Sequence, residues 1–248
     1  MDILDTQIIS YSFKNSYDER IENQSISSVT AKEFLLVQGS ERTKSNYYIP
    51  IQKNWNNLLS GNCIGILKRD HPFGKDSTDR IIIEFGHDYP PLIEFGNLAV
   101  AEAINLKAKQ VFNASIQFLE KEKRKMLMNR FEFLTQQNIS CLPLNKDIVD
   151  LGLGLLKEFL SRYEPKKEFK NTINDMFILA TAVNSFSTLT TKDSLLHRFA
   201  AEYFNASLKE NSGSLLIDFG SESCKNKESK GYINKGWRVQ TCNYQGAW

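Results

Sequence analysis

Short apolar segments alternating with helical ones constrain this chain most. Ile3-Leu4 reads as a strand ending at Asp5, and residues 6–14 follow as a helix with Asp5-Thr6 as cap material. Residues 24–28 read as a second strand. The helix after it takes Thr30 as N-cap, and Glu33 three residues on completes a capping-box spacing. The pattern returns late in the chain. Residues 139–142 read as a strand, and 146–163 as an amphipathic helix with Ile148, Leu151, Leu155, Phe159 and Leu160 inward. Gly152 and Gly154 weaken that helix by about 1 kcal/mol each relative to Ala. A helix over 172–184, a strand over 187–190, a helix over 194–209 and a strand over 214–219 complete the series. Parallel strands need long crossovers, and helices usually supply them, so this alternation predicts an α/β fold with a parallel sheet.

Residues 40–138 differ in character. Tyr47-Tyr48 and Trp55 stand among turns at Gly61, Gly65, His71-Pro72-Phe73-Gly74 and Pro90-Pro91, and residues 80–85 are Ile-rich enough for a strand. Leu98 to Thr135 holds no Pro or Gly and reads as one or two long helices, with a charged face over residues 120–125. This stretch is expected to be a mostly helical insertion subdomain between two parts of one core, 1–39 and 139–219. The segment 220–248 is rich in Ser, Lys, Asn and Gly and reads as an irregular appendage despite Tyr232, Trp237, Tyr244 and Trp248.

Charge balance and cysteine usage narrow the function classes. The chain carries 31 basic and 29 acidic residues, a net charge of +2, which excludes a bulk polycation but leaves room for a local basic stripe. No run of about 18 apolar residues is present for a membrane span. Asp2 and Asp5 stand where a signal peptide carries Lys or Arg. Cys63, Cys141, Cys224 and Cys242 form no C-x-x-C pair, which argues against a zinc site or a disulfide framework. These features predict a reduced, cytoplasmic protein. His71, His87 and His197 are scattered, and neither a phosphate-binding glycine loop nor a nucleophile elbow occurs.

The acids are more informative. Asp5 and Asp193 fall at or just beyond the carboxyl ends of predicted strands, the edge where open parallel sheets bind ligands. Glu33 and Asp175 fall near helix starts. If the four converge they form a cage of hard oxygen donors suited to Mg²⁺ or Mn²⁺. Crowded carboxylates repel one another and some take up protons, a conflict that a divalent ion resolves. Such an ion also supports phosphodiester hydrolysis. Each acid has a local explanation too: Asp5 and Asp193 as helix caps, Glu33 in a capping box, Asp175 complementing a helix dipole.

Four segments, taken together, resemble the PIN-domain nucleases, and specifically the VapC-type toxin ribonucleases. They are Leu4-Asp5-Thr6-Gln7, Ile26-Ser27-Ser28-Val29 with Glu33 on the following helix, Asn174-Asp175 before an Ala-rich apolar helix, and Thr190-Thr191-Lys192-Asp193. All four occur in family order. Gln7 replaces the usual Asn, and the stretch 40–138 separates the second and third motifs. The resemblance implies a PIN-like three-layer fold, a central parallel sheet flanked by helices. It implies a divalent-metal-dependent endoribonuclease, a hydrolase acting as a toxin or defence effector. Asp5, Glu33, Asp175 and Asp193 take the catalytic and metal-ligating roles, with Mg²⁺ or Mn²⁺ as cofactor. Thr6 and Thr191 then hold carboxylates from behind, and Asn174 either contacts the scissile phosphate or caps its helix. Lys166, Lys167, Lys170 and Lys192 neighbour the acids and are the expected phosphate contacts. The expected partners are an RNA substrate, an antitoxin or other regulatory protein, and a second copy of the chain, with no membrane. The alternatives are a PIN-type DNA nuclease and a non-catalytic PIN scaffold that binds protein or RNA.

Overall fold

A computed structural model describes residues 2–36, 80–84, 92–117, 119–166, 169–204, 207–211, 214–218 and 237–240. Tyr47, Tyr48, Trp55 and Lys167 lie outside them. Strand β1 (Asp2–Leu4) leads into α1 (Thr6–Phe13), and β2 (Ser25–Ser27) into α2 (Ser28–Phe34). After β3 (Arg80–Glu84) and β4 (Leu92–Phe95) come three helices, α3 (Asn97–Asn105), α4 (Lys109–Ser115) and α5 (Lys121–Gln136). Then follow β5 (Ser140–Leu142), α6 (Lys146–Leu160), α7 (Phe169–Asn184), β6 (Thr188–Thr191) and α8 (Ser194–Phe204). The hairpin strands β7 (Ser207–Asn211) and β8 (Ser214–Asp218) come next, and β9 (Trp237–Gln240) is the last described element.

The main sheet has the order β5-β2-β1-β6-β8-β7. Its first four strands run parallel, with Ile3 opposite Ser25 on one side and Leu189 on the other. β8 then pairs antiparallel with β6, and β7 antiparallel with β8. Helical crossovers explain the parallel part, and the short hairpin explains the antiparallel edge. The helix expected over 194–209 therefore ends at Phe204, because Ser207–Asn211 satisfies its backbone groups by pairing with β8. A separate three-stranded sheet, β4-β3-β9, pairs β3 antiparallel with β4 and parallel with β9. The expected irregular appendage thus contributes one ordered strand.

Alternation along β1 builds the layers. Successive strand residues point to opposite faces. Ile3 is fully buried among Phe159, Phe177 and Phe199, the residues of α6, α7 and α8. Leu4 belongs to the other cluster, with Ile8 and Ile9 of α1, Phe34 of α2, Phe112 of α4, and Leu127 and Phe131 of α5. The Phe159 and Phe199 rings meet edge to face at 5.2 Å on one side, and Phe112 stacks on Phe131 at 4.2 Å on the other. The result is an α/β fold in which helices flank a four-strand parallel sheet. Residues 97–136, expected to belong to an insertion subdomain, share one hydrophobic cluster with β1, β2 and β5. They form three helices rather than one or two.

Local chemistry sets the helix ends near the sheet's carboxyl edge. Ser27 caps α2, its hydroxyl accepting from the Thr30 N–H at 3.1 Å. The expected cap at Thr30 is therefore corrected: the helix starts three residues earlier, and Glu33 is freed from any capping box. Asn145 caps α6 in the same way through the Ile148 N–H at 2.8 Å.

Gly152 and Gly154 have different consequences within α6. A methyl group at Gly152 would meet the Phe177 ring of α7 at 2.5 Å, whereas one at Gly154 would meet nothing within 4 Å. Gly152 therefore permits close α6–α7 packing, and its helix-propensity cost is offset there. Gly152→Ala is expected to destabilise the protein by about 1–3 kcal/mol through overpacking. Gly154→Ala is expected to stabilise it by up to about 1 kcal/mol. Chemical denaturation of the two variants checks the opposite signs.

Candidate active site

The four acids arrive from four segments at one edge of the sheet. Asp5 directly follows β1, and its backbone N–H donates to the Thr190 carbonyl of β6 at 3.0 Å. Asp193 follows β6 by two residues. Glu33 lies on α2, which begins where β2 ends, and Asp175 lies on α7, which packs against the same sheet. Parallel pairing of β1 with both β2 and β6 puts all three strand exits on the same side.

A continuous set of hydrogen bonds links them. Asp5 is buried, and its Oδ1 accepts from the Thr6 N–H at 2.6 Å, which caps α1. Its Oδ2 accepts from the Thr191 hydroxyl at 2.7 Å. The Thr191 Oγ1 in turn accepts from the Asp193 N–H at 3.0 Å. Thr6 donates its hydroxyl to Glu33 Oε2, and Asn174 donates Nδ2 to Glu33 Oε1 at 2.6 Å. Asp193 Oδ1 accepts the Leu195 and Leu196 N–H groups at 2.9 and 3.0 Å, capping the start of α8. Capping and clustering are therefore compatible at Asp5 and Asp193, because a carboxylate has lone pairs for both.

Thr6, Thr191 and Asn174 each hold a carboxylate. Asn174 sits inside α7, which starts at Phe169, so it is no helix cap. The Lys166 ammonium lies 2.6 Å from Asp175 Oδ2 and 2.6 Å from Asp193 Oδ2. It was expected on substrate phosphate; here it bridges two acids. Lys170 lines a small recess with Glu33 and Asn174. Lys192 lies over the Tyr11 and Tyr17 rings, 4.7 and 5.5 Å from their centroids.

The acids carry unequal proton affinities. Burial pushes Asp5 up to about 6, the Glu33 and Asp193 charges add to this, and the Thr191 and Thr6 hydrogen bonds oppose it. Burial also raises Asp175, helped by Asp5 and Asp193 and resisted by Lys166. Burial acts upward on Asp193 as well, but the Lys166 ammonium and the Leu196 and Leu195 N–H groups outweigh it and hold the group low. The four carboxylates are oxygen donors, the type that small hard cations take. Among the described residues, no three His, Cys, Asp or Glu side chains have the spacing of a closed coordination shell. Asp5, Asp175, Asp193 and Glu33 are the side chains that could supply one.

A cleft of about 430 Å³ adjoins Glu33, lined among the described residues by Lys14, Phe34, Lys123 and Arg130. Arg130 Nη1 donates to the Phe34 and Leu36 carbonyls at 2.8 and 3.3 Å, satisfying the end of α2. Lys123 pairs with Glu120 at 3.5 Å. The charge run over 120–125 did not reveal which cations face this cleft, because helical phase is set by packing. No family model, curated protein or solved structure matches the chain. Among the described residues no helix is long and apolar enough to cross a membrane.

The direction of the Asp5 shift sets a pH dependence. The folded protein holds this proton more tightly than the unfolded chain does. Its stabilising contribution is thus fully present below 3.8 and is lost as pH rises through about 6. Asp175 is shifted the same way. In EDTA, thermal stability is expected to fall across that window, and Asp5→Asn to flatten the fall. Melting curves at a series of pH values measure it.

Proposed function

We propose that the chain is a PIN-like endonuclease that hydrolyses phosphodiester bonds in RNA with Mg²⁺ or Mn²⁺. One observation carries the reading: Asp5, Glu33, Asp175 and Asp193, from four separate segments, meet at the carboxyl edge of parallel strands and are tied together through Thr6, Thr191, Asn174 and Lys166. The strand order β5-β2-β1-β6, with helices on both faces, supports the three-layer architecture that the four motifs imply. RNA as the substrate, and an antitoxin or a second copy of the chain as partner, are carried by the motif resemblance.

Asp5, Asp175 and Asp193 would hold the ion, and Glu33 would hold a second ion or orient the attacking water. Bound there, the ion supplies Lewis-acid activation of the phosphodiester and of water. The protein's own part is positional. Thr191 aims Oδ2 of Asp5, while Thr6 and Asn174 fix both oxygens of Glu33, so the carboxylates keep their orientation before substrate arrives. Lys14 and Lys123 along the adjoining cleft offer positive charge to a phosphate backbone.

Incubation of the purified protein with labelled RNA and with single- and double-stranded DNA, in Mn²⁺, Mg²⁺ or EDTA, tests the proposal. RNA cleavage with either ion and none in EDTA is the expected result. Asp5→Asn abolishes cleavage while keeping or raising metal-free thermal stability, since it relieves repulsion. Thr191→Val and Asn174→Ala lower the rate by roughly 10–100-fold. Cleavage that survives Asp5→Asn, or that persists in EDTA, refutes the assignment.

A further inference from the structure

We infer that Lys166 is a tethered cation that occupies the acid cluster in place of a divalent ion, so that ion binding at this site is an exchange. The inference rests on the metal-dependent reading of the cluster and concerns how the site is regulated. Its first support is geometric. The ammonium stands 2.6 Å from Asp175 Oδ2 and from Asp193 Oδ2, joining α7 to the turn after β6. Lys166 thus bonds to both carboxylates at once, whereas the Thr191 hydroxyl meets Asp193 at its backbone N–H. An ammonium is a compact point charge with three donors, which lets it stand among carboxylate oxygens where a small hard cation would.

The second support is the tether. The Lys166 backbone N–H donates to the buried Thr172 Oγ1 at 2.9 Å, so the main chain is anchored to the helix that carries Asp175. Only the side chain crosses to Asp193. That side chain is 32% exposed, which gives the ammonium an aqueous exit that needs no backbone movement. A divalent ion and the ammonium cannot both bond to the same two oxygens, since like charges at that separation repel strongly. Apparent ion affinity is then the intrinsic affinity reduced by the fraction of molecules in which the lysine has swung out. Once released, the ammonium remains on its stem beside the cluster, within reach of an arriving phosphate.

Titration of the full chain with Mn²⁺, followed by calorimetry and by electron paramagnetic resonance, tests the exchange without reference to cleavage. Lys166→Met is expected to bind Mn²⁺ at least about tenfold more tightly than the natural protein. Lys166→Arg, which keeps the charge, binds Mn²⁺ less tightly than Lys166→Met does. A second measurement needs no variant: acetylation of Lys166, read by mass spectrometry of the natural protein, rises when Mn²⁺ is added. If Lys166→Met binds Mn²⁺ no more tightly and labelling is indifferent to Mn²⁺, the exchange is overturned and Lys166 is a structural tie. If neither protein binds Mn²⁺ or Mg²⁺, the metal reading falls and the exchange falls with it.

Discussion

The burial of Ile3 in one hydrophobic cluster and of Leu4 in the other is the constraint on which the molecule depends. β1 is three residues long and lies between β2 and β6. With both side chains committed to opposite faces, a shift of register by one residue would carry Asp2 or Asp5 to an apolar position now held by Ile3 or Leu4. The chain therefore leaves β1 at one point and in one direction, and Asp5 stands at that point. Its N–H continues the ladder to Thr190, while its carboxylate starts α1 and reaches Thr191. Packing thus places a charge where packing alone would not favour one.

The cost of that placement is electrostatic. Asp5 and Asp175 are both held above the ordinary carboxylate range by burial and by neighbouring acids. A cluster of this kind persists because polar groups are supplied from every side: threonine hydroxyls, an asparagine amide, two helix-start N–H groups and one ammonium. None of these donors removes the repulsion entirely, so the cluster keeps an affinity for positive charge. That residual affinity links the architecture to the proposed chemistry, and it explains why a lysine from the loop before α7 is drawn into the cluster.

Much of the fold was legible in the order of strand and helix signals. The strands at residues 3, 25, 140 and 188, and the helices between them, follow from short apolar segments, caps and 3.6-residue periodicity. Asp5 and Asp193 were legible as strand-end residues; the helix starts expected near Glu33 and Asp175 lie instead at Ser28 and Phe169, and those two acids were singled out by the motifs alone. Ser27 was missed as a cap because Thr30 and Glu33 match the same spacing rule, and spacing cannot tell which hydroxyl faces the first free N–H. The strand at 207–211 was missed because a short segment of mixed polarity takes its conformation from a partner edge, here β8. That residues 97–136 pack against β1, β2 and β5 was not legible for a related reason: composition marks a change of character, not which surface a helix covers.

Local chemistry along the chain thus specified which residues could cap, cross over and carry charge, because those properties depend on neighbours within a few positions. It left open which of them meet. The pairing of β1 with β6 brings Asp5 to Thr191 across a separation of 186 residues, and α2 against α7 brings Glu33 to Asn174 across 141. The same assembly turns Lys166 from a surface lysine into the counter-ion of two acids. Contacts of that range follow from burying two hydrophobic faces at once, a cooperative condition on the whole chain that no short window of sequence contains.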